Sequence, residues 1–230
     1  MAEIPVVTID GPSGSGKGTL ARWLADTLGW HFLDSGALYR LVAIYAERQG
    51  LDATNRDDIE LAADMARSMP VEFGSDESGG EKILLDGDDV THKVRDEATG
   101  GLASQWAALP PIRTALLELQ HSFRRAPGLV ADGRDMGTVV FADAPAKFFV
   151  TASAAERARR RVSQLSEMGI DATIDGICSE IEARDTRDRD REHSPLVPAD
   201  DAEIVDTTEL DIQTVREQVL AQVREKIPAL

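Results

Sequence analysis

The segment Gly11-Pro12-Ser13-Gly14-Ser15-Gly16-Lys17-Gly18-Thr19 follows the apolar run Val6-Val7-Thr8-Ile9 and opens a stretch of helical spacing. Glycines at this density let the chain wrap with its amides pointing inward, as binding a polyphosphate requires, and Lys17 adds a mobile positive charge. Ala21, Leu24, Ala25 and Leu28 recur at helical intervals, so the loop ends at a helix N-terminus whose unpaired amides and dipole also favour an anion. Gly11, Pro12, Ser13, Gly14, Ser15, Gly16, Lys17, Gly18 and Thr19 are therefore the expected phosphate-binding residues.

Strand, glycine loop, lysine and helix in this order form the P-loop context. The strict pattern has Ser or Thr directly after the lysine; here Gly18 intervenes and the hydroxyl comes at Thr19. The Gly-Lys-Gly-Thr form resembles the loop of nucleoside monophosphate kinases, in which a second phosphate-bearing nucleotide approaches closely.

Along the chain, strands are expected at 4–10, His31-Phe32-Leu33-Asp34, Leu129-Val130-Ala131-Asp132, Lys147-Phe148-Phe149-Val150 and Glu203-Ile204-Val205-Asp206. Helices are expected at 17–28, from Ser35-Gly36 to Gly50, and at 57–69, 94–107, 111–125, 155–168, 173–191 and 211–226. Pro110-Pro111 separates the fourth and fifth of these. Residues 71–90 read instead as short antiparallel strands joined by turns, an inserted module. The pattern predicts an α/β fold with a parallel sheet of about five strands, covered by helices on both faces, a small antiparallel insertion and a short helical lid. A single domain over 1–230 is expected. Its core is 1–34, 108–155 and 192–230, its acceptor-binding region with the insertion is 35–107, and its lid and arginine-rich helices are 156–191.

The N-terminus has no basic segment before an apolar one, and no apolar run approaches the roughly 20 residues that cross a bilayer. A cytoplasmic, unsecreted monomer with no membrane partner is expected. The lone Cys178 reads as a buried or half-buried thiol, and the scattered histidines suggest no zinc site. The net charge of −16 argues against nucleic acid as a partner. Of the 25 basic residues only five are lysine, and the arginines cluster at 157–161 and 184–191. Arginine's planar fork suits bidentate phosphate contact, so these clusters point to a focused anion site; their alternating signs equally suit a solvated ion-pair lattice.

Asp132 ends a buried strand at the sheet edge where α/β proteins bind ligands, which suggests a Mg²⁺ ligand beside the nucleotide phosphates, with Thr19 as the hydroxyl ligand. Asp135, next to Arg134, could accept a hydrogen bond from the amino group of a base. On a continuous helix Arg184, Asp188 and Arg191 would share one face, able to clamp phosphates while the carboxylate takes a ribose hydroxyl. Arg157, Arg160 and Arg161 make a similar stripe, and the arginine-rich segment around 157–165 is expected to act as a closing lid that excludes water.

Gly11 to Thr19, Asp34 to Arg40, Ala131 to Thr138 and Arg184 to Arg191, in this order and spacing, resemble bacterial cytidylate kinases over almost the full length. The resemblance implies transfer of the γ-phosphoryl group of ATP to CMP or dCMP, with Mg²⁺ bound. It implies that Ser35, Arg40, Arg134, Arg184 and Arg191 surround the acceptor phosphate, with Tyr39 in the same substrate-binding group. Asp188 would take the sugar hydroxyls, and Ser104, Arg113 and Asp135 would read cytosine. Lys17, Arg134, Arg160, Arg161, Arg184 and Arg191 would neutralise the migrating phosphoryl group. The acidic tract Gly74 to Glu81 matches least well.

Overall fold

In the computed structural model, which describes residues 4–75, 81–167 and 171–228, strands and helices alternate outside one insertion. Strand β1 (Val6–Asp10), helix α1 (Lys17–Leu28) and β2 (His31–Asp34) are followed by α2 (Ser35–Gln49) and α3 (Arg56–Arg67). Then come β3 (Val71–Ser75), β4 (Glu81–Leu85), β5 (Asp88–Asp89), α4 (Thr91–Arg95), α5 (Glu97–Trp106) and α6 (Pro110–Ser122). The chain continues through β6 (Leu129–Gly133), a π-helical turn (Met136–Val140), β7 (Ala146–Thr151), α7 (Ala154–Glu167), α8 (Ile174–Arg189), β8 (Glu203–Asp206) and α9 (Ile212–Lys226). It divides into two compact units, residues 1–34 with 120–230, and residues 35–119.

The first unit is built on a parallel sheet in the order β2-β6-β1-β7-β8. β1 and β6 are buried at every position, as suits central parallel strands that are mostly apolar and carry their carboxylates, Asp10 and Asp132, at the carboxyl end. The two-residue period of β1 sends Val7 and Ile9 into one cluster with Val130, Phe148, Val150 and Val205, against Leu20, Leu24, Val215 and Val219 of α1 and α9. Each such side chain contributes roughly 1.5–3 kcal/mol by leaving water. On the other side the π turn packs against β1 and β6.

In the second unit α2 packs on α5, and β3-β4-β5 form the expected antiparallel insertion. Its β4–β5 turn is Asp86-Gly87, both at positive φ (55° and 81°), the twist that a two-residue hairpin needs. Residues 76–80 of the acidic tract lie outside the described residues. Among the described residues no helix is long and apolar enough to cross a membrane.

Several boundaries differ from expectation. The helix expected over 94–107 is two, α4 and α5, broken at Asp96, whose backbone is extended (φ −65°, ψ 143°). Arg40 Nη1 donates to the carbonyls of Val94 and Asp96, both at 2.8 Å, and so satisfies groups that a continuous helix would have bonded internally. Pro110-Pro111 does separate two helices as expected, with Pro110 itself opening α6 one residue early, where a missing N–H costs nothing. At the α5–α6 turn the amides of Ala107, Ala108 and Leu109 donate to the carbonyls of Ala103, Gln105 and Trp106, and residues 108–119 fall in the second unit. Helix α8 ends at Arg189, short of Arg191. The Asp188 carbonyl accepts from Leu196 N (2.8 Å) and Arg191 Nε (3.2 Å) instead of from a further turn of helix.

Candidate active site

Parallel pairing carries the ends of three strands to one edge of the first unit: Asp10 stands across from Gly133, and Asp34 across from Asp132. The glycine loop leaves β1 at this edge. Gly14 and Gly16 take positive φ (77° and 87°), which side chains beyond Cα resist. Gly16 is also the N-cap of α1 and supplies no side-chain cap, leaving the first amides of the helix for a ligand. Ser15 Oγ is buried with no hydrogen-bond partner among the described residues.

Lys17 Nζ stands 3.7 Å from Asp132 Oδ1, too far for a hydrogen bond, with both side chains nearly enclosed. Burial pushes the Lys17 ammonium down to about 8, and the nearby Arg134 and Arg184 add to this against the pull of Asp132. Burial likewise pushes Asp132 up to about 6 despite Lys17. A lysine and a carboxylate held this way await charged partners of their own, a phosphate for one and a cation for the other. Asp132 Oδ1 has no hydrogen-bond partner among the described residues, which fits a metal-facing oxygen. Among the described residues no group of three or more His, Cys, Asp or Glu is placed to hold a metal. Asp132, beside the glycine loop, is a single carboxylate that could hold a cation together with phosphate oxygens and water. A Cβ on Gly18, not Thr19, would lie 3.1 Å from Asp132 Oδ2, and Thr19 is exposed one residue on.

Asp10 escaped the sequence reading. Its two oxygens accept from Met136 N (2.9 Å) and Gly137 N (2.8 Å), pinning the π turn directly after Asp135. Burial raises its carboxyl to about 7 against these hydrogen bonds. The available signal was an acidic residue closing an apolar strand immediately before the loop.

Arg134, Arg184, Asp188 and Arg191 come together as expected, although Arg191 reaches Asp188 from beyond the helix. Arg134 Nε donates to Asp188 Oδ2 (3.1 Å). Burial pushes Asp188 upward, but Arg134, Arg191 and Arg184 outweigh it and hold the carboxyl below its ordinary value. Asp135 is 2% exposed. The stripe on α7 divides. Arg157 and Arg160 are engaged with the outside of the glycine loop, at Ser13 and Ser15, and half-buried Arg161 donates to Gln164 (3.4 Å). Cys178 is half-buried, as expected.

The remaining predicted substrate residues belong to the second unit. Ser35 begins α2 where β2 ends, Arg40 holds the α4–α5 junction, and Ser104 is buried on α5. The Arg113 guanidinium donates to the Ala107 carbonyl (3.0 Å) and lies 5.4 Å from the Tyr39 ring centre, a cation–π contact.

The family model for cytidylate kinase matches residues 7–225. The chain is 54% identical over 224 residues to the cytidylate kinase of Stutzerimonas stutzeri (strain A1501), covering 97% of this chain and 96% of that one. It is 53% identical over 218 residues to the cytidylate kinase of Pseudomonas aeruginosa (strain UCBPP-PA14), covering 94% of each. A glycine loop with Lys17 and Asp132 beside an Arg134–Asp188 pair, within a sequence this similar throughout, shows that the chain belongs to the cytidylate kinase family.

Proposed function

We propose that this site transfers the γ-phosphoryl group of ATP to CMP or dCMP, giving ADP and CDP or dCDP. The observation that carries the reading is Asp188, a carboxylate held ionised among Arg134, Arg184 and Arg191 in the same unit as Lys17 and the glycine loop. Such a group suits a second, sugar-bearing anion beside a polyphosphate cradle. An oxygen of the acceptor's own phosphate attacks the γ-phosphorus, and the bond to the β–γ bridging oxygen breaks, so no side-chain nucleophile is needed. Lys17 and the arginines neutralise charge spread over the equatorial oxygens, and the loop and α8 hold donor and acceptor in line. A Mg²⁺ ion, held by Asp132, would offset phosphate charge when bound.

The expected roles of Ser35, Tyr39, Arg40, Ser104, Arg113, Thr19 and Arg161 belong to this proposal, as does a cytoplasmic monomer acting on free nucleotides. Asp135 provides the base preference. A carboxylate accepts from the exocyclic amino group of cytosine but faces a carbonyl oxygen in uracil, which leaves both acceptors unpaired. A coupled assay with ATP and CMP, dCMP, UMP, dTMP or AMP tests the reading. CMP and dCMP are expected to turn over fastest; UMP exceeding CMP overturns the base assignment.

A further inference from the structure

Helix α7 grips the glycine loop from outside. Arg157, 4% exposed, donates from Nε to the Ala152 carbonyl (3.0 Å) and from Nη1 to the Ser13 carbonyl (3.1 Å). Its fork also closes on both oxygens of Asp185 in α8, at 3.1 and 2.5 Å. Arg160 donates to the Ser15 carbonyl (3.3 Å), to Thr207 Oγ1 (3.1 Å) and to the Thr207 carbonyl (2.6 Å), and Thr207 Oγ1 itself lies 3.1 Å from the Ser15 carbonyl. In a planar trans peptide the carbonyl and the following N–H point in opposite directions. A Ser13 carbonyl turned out to Arg157 therefore aims Gly14 N–H away from α7. The Ser15 carbonyl, held by Arg160 and Thr207, does the same for Gly16 N–H. Arg157 has every guanidinium nitrogen engaged, so it is not free to reach a substrate as a lid residue must. Its second partner, Asp185, directly follows Arg184 in α8 and sits three residues before Asp188.

We propose that Arg157 is a positioning residue. It presets the amides of the donor loop and, through Asp185, ties their orientation to the helix that carries Arg184 and Asp188, while Arg160 and Thr207 hold the second loop carbonyl. This rests on the kinase reading above. Burying the pair costs desolvation, which the two-point geometry and the loop and Ala152 carbonyls offset. Lysine, a point charge without the fork, cannot hold Ser13 and both Asp185 oxygens together.

The experiment measures equilibrium binding of a non-hydrolysable ATP analogue well below each variant's unfolding midpoint. Arg157→Lys keeps the charge and loses the fork; Asp185→Asn keeps the shape and does not touch the loop. Each is expected to weaken the analogue about tenfold, the size of one or two lost amide–phosphate hydrogen bonds. The double variant is expected to weaken it no more than the worse single, because Asp185 acts through Arg157. A merely structural pair would lower the unfolding midpoint and leave the affinity of the folded protein alone, so unchanged affinity, or full additivity, overturns the proposal. Where a single variant fails to fold, Arg157→Met/Asp185→Leu removes the pair without stranding a charge. Tenfold weaker binding by that protein supports the proposal, and unaltered binding overturns it. Turnover of the unsubstituted protein with ATP and CMP tests the kinase reading separately. Normal turnover with unaltered analogue binding in the variants sinks only the present inference; analogue binding without CMP turnover in the unsubstituted protein sinks the kinase reading.

Discussion

At Lys17 the folded chain encloses a charge that it does not fully neutralise, since Asp132 stands 3.7 Å away and burial has brought the ammonium down to about 8. On the proposed reading such a residue serves the ligand rather than the fold. Lys17→Ala is expected to lower kcat/KM by about 10²–10³-fold, the scale of removing one preorganised charge from a transition state, with the unfolding midpoint unchanged or raised. Steady-state kinetics beside a thermal melt checks both halves. Asp188 differs because three arginines hold its carboxyl below the ordinary 3.8. A depressed folded value makes its stabilising contribution fully present above about 3.8 and lost as pH falls through the lower folded value. Asp188→Asn is therefore expected to lose less stability than the parent as pH falls from above the ordinary 3.8 through the lower folded value, as denaturant titrations would show. At neutral pH the same variant is expected to raise KM for CMP about tenfold or more while leaving ATP affinity within about twofold. Equal weakening of both nucleotides would contradict the assignment of that carboxylate to the acceptor.

Among the elements, the π turn shows how a strand end is aimed. Both oxygens of Asp10 hold the first two amides of the turn, so Asp135 is fixed from below by a residue of a different strand. Asp10→Asn keeps an acceptor for one amide and turns a donor toward the other. The expected result is a lower ratio of CMP to UMP turnover, by roughly tenfold, with a lowered unfolding midpoint. A preserved ratio would show that the turn does not depend on this anchor. The helices carry a related lesson about legibility. Apolar spacing in α1 and the alternation of β1 were readable because each element buries a face by its own period. The break at Asp96 and the end of α8 at Arg189 were not, because both depend on side chains that reach carbonyls: Arg40 from another helix, and Arg191 folding back on Asp188.

For the whole molecule, the charge surplus of −16 has no task in phosphoryl transfer. Exposed carboxylates at Asp57, Asp86, Asp88, Asp89 and Asp200, with half-buried Asp58, repel one another at low salt. Raising ionic strength shortens the Debye length from ~10 Å at 0.1 M to ~3 Å at 1 M and removes this penalty, as in proteins of a salty cytoplasm. The thermal midpoint is expected to rise from low salt to about 1 M NaCl. A flat or falling midpoint would show that the acids are already neutralised locally by their own ion pairs. Activity is a poorer probe, since the same salt weakens the attraction between the arginines and nucleotides.

The amino-acid sequence alone determined the phosphate loop, the alternation of strands and helices, the placing of Asp132 at a strand end and the gathering of arginines near the carboxyl end of the chain. All of these are local patterns, set by spacing along one segment. The tertiary structure decided which arginines of α7 are engaged with the glycine loop. Arg157 and Arg160 lie in the same stripe as Arg161, yet the loop carbonyls of Ser13 and Ser15, more than 140 residues earlier, claim the first two. Buried carbonyls and carboxylates take whatever donor the fold brings within hydrogen-bond reach, and that pairing is a property of three-dimensional proximity that no one-dimensional spacing encodes.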